Sequence, residues 1–148
     1  NMEIQYIFHA SVGKGLRQKL TVFLRTLKRR MPLFFKKRLP SLISIILISP
    51  IFSKKLNVIY RKKNYPTNVL SFVYDRAYAE IFITPAVIKK EAQKAHESME
   101  IFLVKMIIHG IIHCGRIDHE KSSLEERKFL HLEKKLIALT LPIRKVNS

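Results

Sequence analysis

A single cysteine, Cys114, occurs in 148 residues, so no internal disulfide can form and the chain suits a reducing compartment such as the cytoplasm. Long apolar runs are also missing. The longest, residues 42–52, is interrupted by Ser44, Ser49 and Pro50 and falls well short of the roughly 20 residues that span a bilayer. It reads as a buried strand, and stable membrane insertion is not expected. No charged segment followed by an apolar core and a small-residue cleavage site opens the chain, so no secretory signal is expected. Neither an internal repeat nor a low-complexity linker divides it. The length fits one domain, large enough to bury a core without covalent staples.

Acids are scarce where cations are dense. Residues 1–63 carry fifteen Lys/Arg and one acid, Glu3, whereas residues 64–148 carry thirteen and ten, for a net charge of +17. A surface so lopsided gathers polyanions, and each phosphate it neutralises releases counterions, which makes binding strong at low salt and steeply salt-dependent. Nucleic acid is the natural partner. Two explanations compete: a lysine- and isoleucine-rich composition that keeps the chain in solution, and attraction to an anionic membrane surface.

The most informative run is His109-Gly-Ile-Ile-His113-Cys-Gly-Arg-Ile-Asp-His119. Residues four apart on a helix lie one turn above each other, so His109 and His113 can aim their imidazoles at a common point. Gly115 is suited to stop that helix in a left-handed conformation, after which the chain can fold back and bring His119 to the same point. Imidazole suits zinc, and three protein ligands leave the fourth tetrahedral position for water, as in catalytic sites. Among six histidines, a chance pair in the core or on the surface is the plain alternative. The third histidine, the glycine and the apolar approach over residues 101–108 favour one Zn2+ ion per chain. A zinc protease would carry glutamate directly after the first histidine as general base; Gly110 stands there, so peptide hydrolysis is disfavoured. Cys114 projects about 100° around the helix from His113 and reads as a small buried hydrophobe rather than a ligand.

Alternation predicts a strand over residues 2–9. Leu16, Leu20, Phe23, Leu24, Leu27 and Met31 then recur at spacings of three and four, predicting a basic amphipathic helix over residues 13–31. Such a helix could lie on a membrane or serve targeting; the strands on either side favour a core helix with a cationic outer face. Residues 36–40 read as a linker, and residues 42–48 as a central strand covered on both faces. Ser53 is the expected cap of a short helix over 54–62, followed by a turn at 64–67 and strands at 69–74 and 79–83. Thr84-Pro85 opens a helix to about residue 96. Ser98 starts the histidine-bearing helix, and Ser122 or Ser123 caps a last one to about residue 139. The sum is one α+β domain with a mostly four-stranded mixed sheet, about five helices, and the metal site on a C-terminal helix and the turn after it.

Two separated motifs resemble the YbeY family. Leu56-Asn57, Tyr60-Arg61 and Pro66-Thr67-Asn68-Val69-Leu70-Ser71-Phe72 are similar to its Leu-Asn, Tyr-Arg and Pro-Thr-Asp-Val-Leu-Ser-Phe stretch. His109-Gly110-Ile-Ile-His113 with Asp118-His119 is similar to its His-Gly-x-Leu-His and Asp-His pattern at the same histidine spacing. Glu91-Ala92 and Glu133 also fall at similar distances, so the likeness spans roughly residues 40–140. Asn68 stands where the family usually has aspartate, Ala79-Glu80-Ile81 replaces its Gly-Asp-Ile, and Gly115-Arg116-Ile117 replaces a residue followed by Gly-Tyr. The resemblance implies a zinc-dependent endoribonuclease acting in ribosomal RNA maturation, with RNA and the ribosome or its assembly factors as partners. It implies zinc on His109, His113 and His119, and Arg61 as a clamp on the scissile phosphate. It also implies Asp118 as a base or as a group orienting a ligand histidine, although Asp118 could equally cap the turn. Ser71 could line the cleft or be a satisfied strand hydroxyl. A non-catalytic RNA- or ribosome-binding assembly factor with a structural metal is the other reading, and metal-dependent hydrolysis of a small molecule a third.

Overall fold

Three isoleucines and two leucines fill five of the six positions of β2 (Leu42–Leu47), and every residue after the first is buried. Side chains alternate across a strand, so burial at consecutive positions means that both faces are covered. β2 accordingly lies inside the sheet, between β1 (Glu3–Phe8) and β4 (Tyr78–Ile83), parallel to both. β3 (Val69–Val73) pairs antiparallel with β4 at the edge, giving the order β1-β2-β4-β3. The turn between β3 and β4 is tied by Asp75, whose Oδ1 accepts from the backbone N–H groups of Ala77 and Tyr78 at 2.7 and 2.9 Å.

The computed structural model describes residues 2–8, 12–117 and 121–140. Among these, six helices accompany the mixed sheet: α1 (Lys14–Arg30), α2 (Leu33–Lys36), α3 (Pro50–Arg61), α4 (Pro85–Lys94), α5 (Met99–Cys114) and α6 (Ser123–Thr140). The expected amphipathic helix is α1, with Leu20, Phe23, Leu24 and Leu27 buried. The unexpected one is α2, a single turn just before the supposed linker and overlapping it only at Lys36, which inserts the fully buried Phe35 into the core. α3 starts earlier than expected. Ser49, not Ser53, caps it by accepting from the Phe52 N–H, with Pro50 in the first turn. Ser53 lies inside the helix, where its hydroxyl accepts from Thr67 N–H at 2.9 Å and donates to Thr67 O at 3.0 Å. Thr84 occupies the N-cap position of α4 but makes no cap hydrogen bond through its side chain. Ser98 and Ser122 act as expected, accepting from Ile101 N–H and Glu125 N–H.

α5 is apolar almost all round, as a helix enclosed by other elements must be. It packs against β3 and β4 on one side and against α4 and α6 on others. Leu103, Ile107, Ile108, Ile111 and Ile112 are 0–1 % exposed. Gly110 permits the close seat on the sheet: a Cβ there would stand 2.8 Å from Ile81 Cγ2 and 3.1 Å from Ser71 Oγ. No helix of the described residues is long and apolar enough to cross a membrane.

Candidate functional site

The same packing that buries one face of α5 leaves His109 and His113 half-exposed, one turn apart. Their Nε2 atoms lie 3.1 Å from each other. Two ring nitrogens bonded at about 2.0–2.1 Å to one tetrahedral ion sit roughly 3.3 Å apart, so the pair fits a shared cation. Behind it, Nδ1 of His109 is 3.3 Å from Oε2 of Glu133 on α6. A carboxylate accepts, so this contact puts the proton on Nδ1 and leaves the Nε2 lone pair facing the cleft. Phe129, one turn before Glu133 and 1 % exposed, packs its ring 4.9 Å from that of His109 and 5.0 Å from that of His113. An i, i+4 pair on α6 thus backs an i, i+4 pair on α5. The role of Glu133 and the presence of Phe129 escaped the sequence reading; their spacing was visible, but the register of one helix against the other was not.

The histidines share a cleft of about 250 Å³ with Arg61, Val69, Ser71 and Val73. Arg61 is held there by the end of α3. Lys62 turns left-handed at φ 57° and donates its N–H to Val58 O, while the Lys63 N–H closes on Asn57 O. The fully buried Asn57 side chain ties the loop back, donating from Nδ2 to Tyr65 O at 2.8 Å. With Ser53 clamping Thr67, the run from Leu56 to Thr67 serves to return the chain into β3 and leave an exposed guanidinium opposite the imidazoles. Ser71 lines the cleft and donates to Gly110 O at 3.3 Å, so both readings of that hydroxyl hold. Asn68 donates to Glu91 Oε2 at 2.9 Å and accepts from its neighbour Val69 N–H, joining the start of β3 to α4.

The histidine turn departs from the expected geometry. Gly115 is not left-handed; its φ is −80°. Arg116 takes that conformation instead, at φ 59°. The glycine is needed for space: a Cβ on Gly115 would meet Phe35 Cε2 at 2.5 Å, and its carbonyl accepts from Arg38 Nε at 2.9 Å. Asp118 and His119 lie outside the described residues, and among the described ones no three His, Cys, Asp or Glu side chains gather to hold a metal ion. Cys114 is 1 % exposed, as expected of a buried hydrophobe, and burial pushes its thiol pKa up to about 12.

Fold and motifs together define a class, the endoribonucleases described as Endoribonuclease YbeY, whose family model matches residues 10–140. The chain belongs to the YbeY family. The match extends toward the N-terminus beyond the stretch that the motifs alone covered. An Endoribonuclease YbeY of Thermotoga sp. (strain RQ2) is 30% identical over 129 residues, covering 85% of this chain and 84% of that protein. One from Polynucleobacter asymbioticus is 34% identical over 105 residues, covering 68% and 65%. The solution structure of TM1509 from Thermotoga maritima superposes with a TM-score of 0.63 at 25% identity, covering 93% of this chain and 89% of that one.

Proposed function

We propose that the chain is a metal-dependent endoribonuclease of the single-strand type that acts in ribosomal RNA processing and ribosome maturation in the cytoplasm, with one zinc ion held by His109, His113 and His119. The observation that supports this most is the 3.1 Å approach of two imidazole Nε2 atoms on the wall of a cleft that Arg61 also lines. Zinc supplies Lewis acidity when bound, able to polarise a phosphate oxygen and acidify a water. The chain's own groups do the rest. Glu133 holds His109 in the ligating tautomer, and Phe129 braces both rings. Arg61, permanently charged and planar, grips the scissile phosphate through paired N–H donors and balances the charge that grows on it. Asp118 orients a ligand histidine or takes a proton. Ser71 and the valines confine the strand beside them.

Zinc analysis of the purified chain, paired with cleavage of a structured RNA with and without chelator, tests the reading, with His109→Ala purified identically as the control for contaminating ribonuclease. One zinc per chain and cleavage that disappears with chelator and in His109→Ala are expected. Wild-type protein that binds RNA but leaves it intact would make the chain a non-catalytic assembly factor.

A further inference from the structure

A second cavity, of about 480 Å³, opens between the chain after α2, the β3–β4 turn and the end of α5. Lys37, Arg38, Arg76 and Arg116 line it, from three separate segments, so their meeting is a product of the fold rather than of a basic run in the sequence. Asp75 also lines it, but its Oδ1 is engaged by the two N–H groups of its own turn. Val73 lines both this cavity and the histidine cleft, so the two share a wall.

Arg116 adds a second, independent observation. It follows His113 by three residues and holds φ at 59°, a conformation glycine adopts freely and a residue with a Cβ adopts at a cost. Glycine would satisfy the backbone there, yet the residue present supplies a cation to the cavity. Against the one carboxylate of Asp75, which keeps its charge, the four cations leave the lining net positive, and an anion seated among them lowers their mutual repulsion. We infer that this cavity is a phosphate subsite that seats a backbone phosphate of the RNA strand adjacent to the cleavage position, with Arg116 as its link to the histidine turn. The inference rests on the endoribonuclease reading and adds to it the path of the strand: from the Arg61 side of the cleft, past Val73, toward Arg38 and Arg76. A free phosphate offers the same oxyanion chemistry, so inorganic phosphate serves as a separate arm of the test.

The pocket variant is Arg76→Ala with Arg116→Gly, the second chosen because glycine keeps the left-handed turn. Its control is Lys89→Ala with Lys90→Ala, two exposed cations on α4. Affinity for a labelled single-stranded RNA is measured in the non-cleaving His109→Ala background across a salt series; kcat and KM are measured in the zinc-loaded chain. The pocket variant should lose about tenfold in affinity at low salt, with the slope of log K against log salt shallower by about 0.7 for each phosphate that is no longer neutralised. KM should rise in step while kcat, zinc content and melting temperature hold. The control pair should change affinity by less than about twofold, and inorganic phosphate should bind the wild type far more weakly than RNA does.

An equal loss in the control pair would reduce the pocket to general surface charge. A fall in kcat at constant KM would make Arg116 a positioning residue for the histidine turn instead. Inorganic phosphate binding as tightly as RNA would overturn the strand assignment. If wild type cleaves RNA, His109→Ala does not, and the pocket variant matches wild type in affinity and KM, the subsite fails while the endoribonuclease reading stands. Wild type that neither binds nor cuts RNA removes both.

Discussion

Glu133 decides which nitrogen of His109 faces the cleft. Through the contact between its Oε2 and Nδ1, the carboxylate fixes one tautomer and the ring's orientation, the usual way a carboxylate supports a ligand histidine. Glu133→Gln keeps the shape and removes the charge, so zinc affinity should fall about 10- to 100-fold, read by competition with a chromophoric chelator, while the melting temperature of the metal-free protein stays close to wild type. Unchanged affinity would mean that the contact is incidental to metal binding. Cys114 gives a second test at this scale. Desolvation pushes its thiol up to about 12, so below that pH the group is held as the unreactive thiol as well as being inaccessible. An alkylating reagent at pH 8 should leave Cys114 unmodified in the native protein and label it fully in denaturant, as mass spectrometry would show. Labelling of the native chain would mean that the end of α5 opens.

The two glycines of α1 and α5 predict opposite outcomes for the same substitution. Gly110 lies under Ile81 and Ser71, where an added methyl must displace a branched side chain, whereas a Cβ on Gly15 near the start of α1 meets nothing within 4 Å. Gly110→Ala should therefore lower stability by about 1–2 kcal/mol after the gain in helix propensity. Gly15→Ala should raise it by about 0.5 kcal/mol. Urea unfolding monitored by circular dichroism measures both, and a stabilising Gly110→Ala would contradict the close seat of α5 on the sheet. The same elements mark what could be read from sequence. The facing of His109 and His113 is a property of one helix, so their spacing revealed it, and the continuous apolar run of β2 revealed a central strand. α2 is one turn long and has no period to detect, so the burial of Phe35 was concealed, and the linker reading of residues 36–40 concealed Arg38. Those two residues in turn explain why Gly115 stands where it does, Phe35 leaving no room for a Cβ and Arg38 donating to its carbonyl. Glu133 and Phe129 were legible as a pair but not as partners of the histidines, because the meeting of α5 with α6 is set by the packing of both helices on the rest of the core.

Over the whole molecule, the cations of the first 63 residues and the fold's own gathering of charge act on one process. Lys37 and Arg38 come from the basic front of the chain; Arg76 and Arg116 come from the more balanced half. The fold brings the four to a cavity that shares Val73 with the histidine cleft. An RNA strand that crosses both, with one phosphate at Arg61 and one in the pocket, would have roughly two phosphates neutralised, which corresponds to a loss of about sevenfold in affinity between 50 and 200 mM salt for a single strand. Fluorescence anisotropy with a labelled oligonucleotide in the His109→Ala background measures that slope directly. A neutral small-molecule substrate would show almost no such dependence, and diffuse attraction to the basic face alone would be lost with salt equally in the pocket variant and the wild type. RNA affinity that stays flat across this range would therefore remove the basic surface from any account of binding, whatever the histidines hold.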